Sequence, residues 1–270
     1  MTAQVFDSNG NLVSSVVVKK YKIVIFLPSS KQVNDLSGQL DFNFKCVQKI
    51  ADAINDLEPK PERIRVKQSN VDDLEAALTV GFGELSDINL VMWGDHSADR
   101  DSAGLCARGE PDKWIYVCKT DRGRYLAKGP KPNPFVDASP GNTIKLKDDI
   151  KLINYGCNGN TDSNKKLFED AFKDVFADKQ QKRYEGKYDT ESTDKVVTLD
   201  IIYELLTIWR DYAQKLKNVF KQTLSDIENR YANKYFEIKG TGLPKETNKK
   251  LSERLKNTHK KINDILEQTP

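Results

Sequence analysis

Cysteine and histidine are scarce in this chain, and their scarcity excludes several kinds of protein. The 270 residues include four cysteines, too few for the disulfide framework of a small secreted scaffold. They include two histidines, His96 and His259, and no pair of Cys or His at the short spacing of a structural zinc site. The sequence therefore allows eight Cys–His pairs, and each can be weighed against the predicted elements.

Long apolar runs and an excess of one charge are also lacking. The most apolar stretch, 16–27, is interrupted by three lysines and falls short of the roughly 20 apolar residues needed to cross a bilayer. The start of the chain lacks the basic and apolar regions of a secretory signal. The 43 Lys and Arg against 40 Asp and Glu lack the basic excess typical of nucleic-acid binding. We therefore expect a cytoplasmic protein with no membrane or nucleic-acid partner.

Several motifs of cofactor and hydrolase chemistry are missing. Pro28-Ser29-Ser30-Lys31, which follows the first core strand, lacks the glycines of a phosphate-binding loop. The chain has no Gly-x-Ser-x-Gly hydrolase motif. A nucleotide-sensing α/β protein is therefore the weakest of the alternatives, and the chemistry implies no metal or organic cofactor.

Four short runs predict strands, and helical spacing between the runs predicts an α/β fold. Three of them are apolar without alternation, which is typical of strands buried on both faces of a parallel sheet, whereas Arg63–Lys67 alternates like a short strand. Strands that alternate with helices predict a mostly parallel sheet flanked by crossover helices. The runs are Tyr21–Leu27, Arg63–Lys67, Ile88–Trp93 and Ile150–Tyr155.

The rest of the chain predicts two hairpins, a linker and a helical extension. Asn9-Gly10 predicts an N-terminal β-hairpin over 1–18, and a second hairpin is predicted around 121–123 within the α/β domain of 19–178. The charged segment 179–197 predicts an exposed linker. Two apolar stripes separated by a Gly/Pro break predict an antiparallel helical hairpin over 198–270.

Two of the predicted strands end in residues that could carry chemistry. Ile88–Trp93 is followed by Gly94-Asp95-His96-Ser97, and Ile150–Tyr155 by Gly156-Cys157-Asn158-Gly159. If these strands are neighbours in a parallel sheet, about 4.8 Å apart, His96 and Cys157 lie at the same edge. An imidazole beside a thiol favours the nucleophilic thiolate. Gly156 and Gly159 allow a tight turn whose backbone N–H groups could stabilise an oxyanion.

These strand ends resemble those of the caspase-like cysteine peptidases, the group that includes caspases, metacaspases, legumain-type proteases and CHAT domains. The segment between them is CHAT-like, since Ser102-Ala103-Gly104-Leu105 precedes the predicted hairpin. The resemblance implies a caspase-like fold and an endopeptidase of protein substrates, with Cys157 as nucleophile and His96 as acid/base. It places the oxyanion at the backbone N–H groups of Cys157 and Ser97. Ser97 departs from the family, which has Gly after the histidine.

A second interpretation is a catalytically silent caspase-like fold that serves as a binding or scaffold module. A cysteine at the end of a buried strand is often a small core residue. Cys46 falls in an apolar helix pattern and is predicted to be core, whereas Cys106 and Cys118 receive no role. His259, in a charged helix, is predicted to be solvated.

The sequence gives only weak indications of substrate preference and regulation. Acidic residues near the predicted edge favour basic substrate residues slightly: Asp95, Asp99, Asp101, Asp148 and Asp149. The stretch 182–187 looks cleavable, and the C-terminal helices offer a surface for a regulatory protein or activating ligand. Regulation by a ligand, a partner or processing is therefore expected.

Overall fold

Eleven strands and six α-helices are seen in the part of the chain that the structure describes. The computed structural model describes residues 2–6, 12–17, 21–33, 37–58, 62–79, 83–99, 102–120, 123–129, 143–144, 147, 150–155, 190–238 and 245–269. The strands are β1 (Thr2–Phe6), β2 (Leu12–Val17), β3 (Ile23–Leu27), β4 (Ile64–Gln68), β5 (Leu90–Trp93), β6 (His96–Asp99), β7 (Ser102–Cys106), β8 (Trp114–Thr120), β9 (Gly123–Gly129), β10 (Thr143–Ile144) and β11 (Lys151–Asn154). The helices are α1 (Ser30–Val33), α2 (Gln39–Asn55), α3 (Val71–Leu78), α4 (Thr190–Ile208), α5 (Ala213–Tyr231) and α6 (Lys245–Gln268).

The centre of the molecule is a parallel sheet of four described strands in the order β11-β5-β3-β4. Alternate residues of β3 enter two different cores, Ile23 and Ile25 on one face and Val24 and Phe26 on the other. Helix α2 covers the first face and α3 the second. Burial on both faces explains the unbroken apolar run and confirms the predicted α/β fold.

The helical spacing of apolar residues over Val71–Leu85, preceded by Asn70 as a cap candidate, predicts a helix, and α3 begins at Val71. The side chain of Asn70 accepts a hydrogen bond from the backbone N–H of Asp73 at 2.9 Å, which satisfies an N–H group that the helix itself leaves unbonded. The helix ends at Leu78, seven residues before the end of the predicted pattern at Leu85.

The remaining strands form two antiparallel units. Strands β1 and β2 pair with each other, as the Asn-Gly turn predicts. Strands β6 to β10 form a second sheet in the order β10-β9-β8-β7-β6, and β8 with β9 is the second predicted hairpin. His96 therefore opens a paired strand, opposite Cys106, and does not lie in an irregular loop.

The C-terminal region contains three long helices where the sequence predicts a hairpin of two. The predicted first helix is interrupted at 209–213, where Arg210–Tyr212 form a 3₁₀ turn between α4 and α5. The interruption lets α4 and α5 each pack against α2, and α6 packs against both. Trp209 is only 4% exposed at this turn. Because periodicity continues through it, the apolar pattern alone does not reveal the break.

The predicted linker 179–197 overlaps α4, which begins at Thr190. Asp194 and Lys195 are 4% and 2% exposed, so their charges lie inside the structure. The Lys195 ammonium donates hydrogen bonds to the carbonyls of Lys234 and Glu237 at 3.0 and 2.7 Å. The end of this charged segment is therefore helical and buried, because hydrogen bonds and ion pairs inside the structure compensate its charges. Residues 179–189 lie outside the described residues.

The C-terminal helices share one hydrophobic core with the sheet. Residues from α4, α5 and α6 belong to the same cluster as Ile25, Ile50, Met92 and Ile153. The predicted extension 198–270 is thus a layer of the α/β body. None of the helices in the described part of the chain is both long enough and apolar enough to span a membrane.

Candidate functional site

The two strands that lead to the predicted dyad are neighbours. Strands β5 and β11 run parallel with Trp93 opposite Asn154, and the Tyr155 N–H donates to the Trp93 carbonyl at 2.8 Å. His96 follows Trp93 by three residues, and Cys157 follows Asn154 by three residues. The adjacency on which the predicted pair depends is therefore present.

The described residues cover only part of the predicted site. The backbone of His96 and Ser97 lies in β6. Cys157, Gly156 and Gly159 lie outside the described residues, as do residues 167–175, where the helical spacing of apolar residues predicts a helix. The structure thus describes the histidine side of the edge and the strand that leads to the cysteine.

Gly94 marks a close approach between the sheet and α4. A Cβ atom at this position would lie 2.7 Å from Leu27 Cδ2, 3.0 Å from the Phe26 carbonyl oxygen and 3.1 Å from Val197 Cγ1. The Gly94 N–H donates to the same Phe26 oxygen at 2.9 Å. Glycine at this position therefore lets the end of β5 touch β3 while α4 packs over it.

A buried ion network lies directly beside the predicted histidine. Arg108 Nε lies 3.1 Å from Asp95 Oδ1, and the Arg108 backbone N–H donates to Asp95 Oδ2 at 3.2 Å. Arg108 Nη2 donates to Asp194 Oδ1 at 3.1 Å. The side chains of Asp95 and Asp194 are 0% and 4% exposed. The guanidinium thus joins the residue before His96 to the first turns of α4.

The network corrects the interpretation of Asp95 as a residue of a substrate pocket. Its carboxylate is held by Arg108 and is closed to solvent, so it cannot contact a substrate side chain. Asp99 lies in β6, and Asp101, Asp148 and Asp149 lie outside the described residues. Sequence reasoning missed Arg108 and Asp194, because 86 residues separate them and no local pattern connects them.

A small pocket of about 10 Å³, room for roughly one water molecule, lies at the carboxyl ends of β3 and β5. Leu27, Pro28 and Gly94 line its sheet side. Its polar lining consists of Asn43 from α2 and Asp194 and Thr198 from α4, all buried. Three buried polar side chains thus meet beside the strand ends, at the place where open α/β sheets commonly bind ligands.

The other cysteines and the second histidine have structural surroundings. Cys46 is buried in the core, as predicted, and burial raises the pKa of its thiol to about 12. Cys106 is also buried. His259 is not solvated as predicted: its side chain is 16% exposed and its Nε2 lies 2.5 Å from Glu228 Oε1. Its ring packs edge-on against Tyr235 and Phe236.

Comparison of the chain with protein-family models, with curated proteins and with solved structures gives no match. Within the described ranges, His, Cys, Asp and Glu side chains nowhere form a group of three that could hold a metal ion.

Proposed function

We propose that the chain is a caspase-like cysteine endopeptidase that acts in the cytoplasm on protein substrates. The observation that carries the proposal is the parallel pairing of β5 with β11, in register from Leu90 opposite Lys151 to Trp93 opposite Asn154. Because the carboxyl ends of parallel neighbours meet at one edge, this register supports a Cys157–His96 pair.

In the proposed reaction, the Cys157 thiolate attacks the carbonyl carbon of a peptide bond. The C–S bond forms as the carbonyl becomes an oxyanion, which two backbone N–H groups stabilise. His96 holds the thiol proton and gives it to the leaving amine as the C–N bond breaks. Water, deprotonated by His96, then attacks the thioester, and the thiol leaves with the proton restored.

The backbone around Ser97 supports its proposed role despite the departure from glycine. Ser97 lies in β6, where the extended conformation is open to any residue. The register of β6 against β7 shifts between His96 and Ala98, and Ser97 has no opposite residue in that register. Such irregularities are common beside active sites, because they turn a backbone group away from the ladder. This backbone supports the N–H of Ser97 as the second oxyanion donor.

The proposal is tested by alkylating the native full chain with limiting iodoacetamide and measuring the rate at each cysteine by mass spectrometry. We expect Cys157 to react at least about tenfold faster than Cys46 and Cys106, because a thiol paired with imidazole is more ionised. Cys46 and Cys106 are 6% and 3% exposed, so their background reaction is slow. His96→Ala is expected to remove the advantage of Cys157, and His259→Ala serves as the matched histidine control.

Equal alkylation of Cys157 and the buried thiols, or an advantage that survives His96→Ala, would overturn the peptidase proposal. Either result would favour the second interpretation, a catalytically silent binding or scaffold module. If Cys157 reacts faster, the native chain is then incubated with a peptide library and cleavage of the peptides is measured. The Cys157→Ala chain is the inactive control.

A further inference from the structure

The proposed reaction gives no role to the buried carboxylate beside His96. Asp95 lies between Gly94, which contacts β3 closely, and His96, which opens β6. The side chain of Asp95 is 0% exposed, so it is closed to a substrate. Burial of a carboxylate is unfavourable unless close partners compensate its charge. A buried carboxylate next to the proposed acid/base residue therefore points to a task inside the structure.

Arg108 holds both oxygens of this carboxylate. Its Nε lies 3.1 Å from Asp95 Oδ1, and its backbone N–H donates to Asp95 Oδ2 at 3.2 Å. Hydrogen bonds to an ionised group are roughly twice as strong as those between neutral groups. Because the two donors approach different oxygens, a rotation of the carboxylate breaks at least one of the two bonds. The side chain of Asp95 is thus fixed in one orientation.

The turn that carries Arg108 is itself fixed. The Glu110 N–H donates to the Ala107 carbonyl at 2.9 Å, which closes a turn around Arg108. The Glu110 carboxylate accepts a hydrogen bond from the Val71 N–H at the start of α3, also at 2.9 Å. Arg108 is therefore mounted on a turn that is bonded to the body of the protein, and a group held by Arg108 is held by that body.

Only Gly94 and Asp95 separate His96 from the buried end of β5. The Gly94 N–H bonds to β3 at 2.9 Å, and the backbone of His96 pairs with Cys106 of β7. The contacts of Asp95 with Arg108, which we call the clamp, fill the gap between these two attachments. The chain is thus held at three successive residues up to and including His96.

We propose that Arg108 and Asp95 are positioning residues for His96, and that the clamp keeps the backbone of His96 where the imidazole reaches the Cys157 thiol. The inference rests on the proposed function, because it concerns the acid/base residue of that reaction. Proton transfer requires the two heavy atoms to lie about 2.6–3.2 Å apart, and a displacement of about 1 Å can lower a rate about a hundredfold. The clamp supplies this precision without contacting the substrate.

The dependence of Cys157 alkylation on pH tests the proposal, because it reports whether the thiol is paired with imidazole. In the native chain we expect the rate with iodoacetamide to be near its plateau at pH 7, since a paired thiol is ionised there. In Arg108→Met the rate at pH 7 should fall at least about tenfold and recover as the pH rises through about 8.5, the pKa of an ordinary thiol. His96→Ala gives the reference profile of a chain without the pair.

Two buried thiols report in the same experiment whether a variant is folded. Cys46 and Cys106 are 6% and 3% exposed, so they react slowly in a folded chain. A variant that merely unfolds more often exposes these thiols as well, whereas a displaced His96 changes the profile of Cys157 alone. Lys113→Met removes a cation whose side chain is 48% exposed and should keep the native profile.

The two carboxylates that Arg108 contacts provide a matched comparison. In Asp95→Asn one oxygen becomes NH₂, so the side chain accepts only one of the two hydrogen bonds. Asp194 is 4% exposed and also pairs with Arg108, but it lies in α4 and not next to His96. At pH 7 we expect Asp95→Asn to lower the Cys157 rate at least about threefold more than Asp194→Asn does, the factor for one modest hydrogen bond. Equal losses would overturn the inference, and this comparison decides if Arg108→Met does not fold.

A double variant separates the inference from the proposed function. If Arg108 acts through His96, adding Arg108→Met to the His96→Ala chain should change the Cys157 rate by less than about twofold. A folded Arg108→Met chain with the native profile, or an equal loss with and without His96, would overturn the inference and leave the peptidase proposal standing. If His96→Ala itself keeps the native profile, the peptidase proposal fails, and the inference fails with it.

Discussion

Gly94 shows how one residue fixes the geometry of the candidate site. Its backbone N–H bonds to β3, and its missing side chain leaves room for Leu27 and for Val197 of α4. The end of β5, the end of β3 and the start of α4 therefore meet within van der Waals contact. Those three elements line the pocket together with α2.

Gly94→Ala is expected to lower the free energy of unfolding by about 1–3 kcal/mol, the usual cost of forcing extra atoms into a packed core. Leu27 can rotate, but the Phe26 oxygen at 3.0 Å belongs to the backbone of β3 and cannot move aside cheaply. Guanidinium unfolding followed by circular dichroism measures the change. The matched control is Gly38→Asn, because Gly38 has φ +66°, which Asn tolerates, and open space around it. Equal losses in the two variants would contradict the steric explanation.

At the residue scale, local contacts could be predicted and distant ones could not. Asn70 was identifiable as a helix cap because its partner Asp73 is three residues away. Arg108 gave no signal, since its carboxylate partners are 13 and 86 residues away. An arginine in a surface pair and one in a buried network look the same in a sequence.

The Arg108 network connects three elements of the fold. Asp95 follows β5, Arg108 follows β7, and Asp194 lies in α4. One guanidinium therefore ties the strand that leads to His96 to the C-terminal helical layer. Both carboxylates are almost closed to solvent, and Arg108 forms an ion pair with each of them.

Arg108→Met is expected to lower the free energy of unfolding by about 3–5 kcal/mol, because it removes a cation from two buried carboxylates. Adding Asp95→Asn and Asp194→Asn to the same chain should recover a large part of the loss, since both carboxylates that Arg108 contacts are then neutral. Urea unfolding of the single and triple variants measures both effects. Lys113→Met is the control: Lys113 pairs with Asp72 and Glu110 but its side chain is 48% exposed, so its loss should cost much less than the loss of Arg108. Similar losses at Arg108 and Lys113 would show that burial does not determine the effect.

At the element scale, β3 and β5 were predictable because burial on both faces leaves an unbroken apolar run. Strand β4, in which buried and partly exposed residues alternate, was predictable from the alternation of its apolar and charged residues. The predicted and observed bounds of the four core strands differ by at most two residues. The number of C-terminal helices was not predictable, because the apolar spacing continues through the turn at Arg210–Tyr212. The start of α4 was also missed, since Asp194 and Lys195 are charged residues that the tertiary structure buries.

At the scale of the whole molecule, the candidate site draws on parts of the chain that no local pattern connects. The edge formed by β5 and β11 followed from the order of the strands, and that order reduced eight Cys–His pairs to one. The pocket needs Asn43 from α2 and Thr198 from α4, which come together only because the C-terminal helices pack on α2. The sequence placed those helices in a separate extension, and so the pocket could not be predicted.

The shared core also predicts how the stability of the whole molecule depends on pH. Cys46, Tyr155 and Tyr235 all lie in the cluster that joins the sheet to the helices. Burial raises the pKa of Cys46 from 9.0 to about 12, raises the pKa of Tyr155 well above 10.0 and raises that of Tyr235 above the same value.

Because these pKa values are higher in the folded chain, the stability they contribute is fully present below pH 9 and is lost as the pH rises. The loss begins near pH 9, where the unfolded Cys46 thiol ionises, and steepens above pH 10, where the unfolded tyrosines ionise. Each titrating group lowers the free energy of unfolding by about 1.4 kcal/mol per pH unit.

Urea unfolding under reducing conditions between pH 7 and 11 measures this dependence of the free energy of unfolding on pH. Cys46→Ala should remove the loss between pH 9 and 10, and Tyr235→Phe should reduce the slope above pH 10. A free energy of unfolding that stays constant from pH 8 to 11 would show that these three side chains are not buried together in one core.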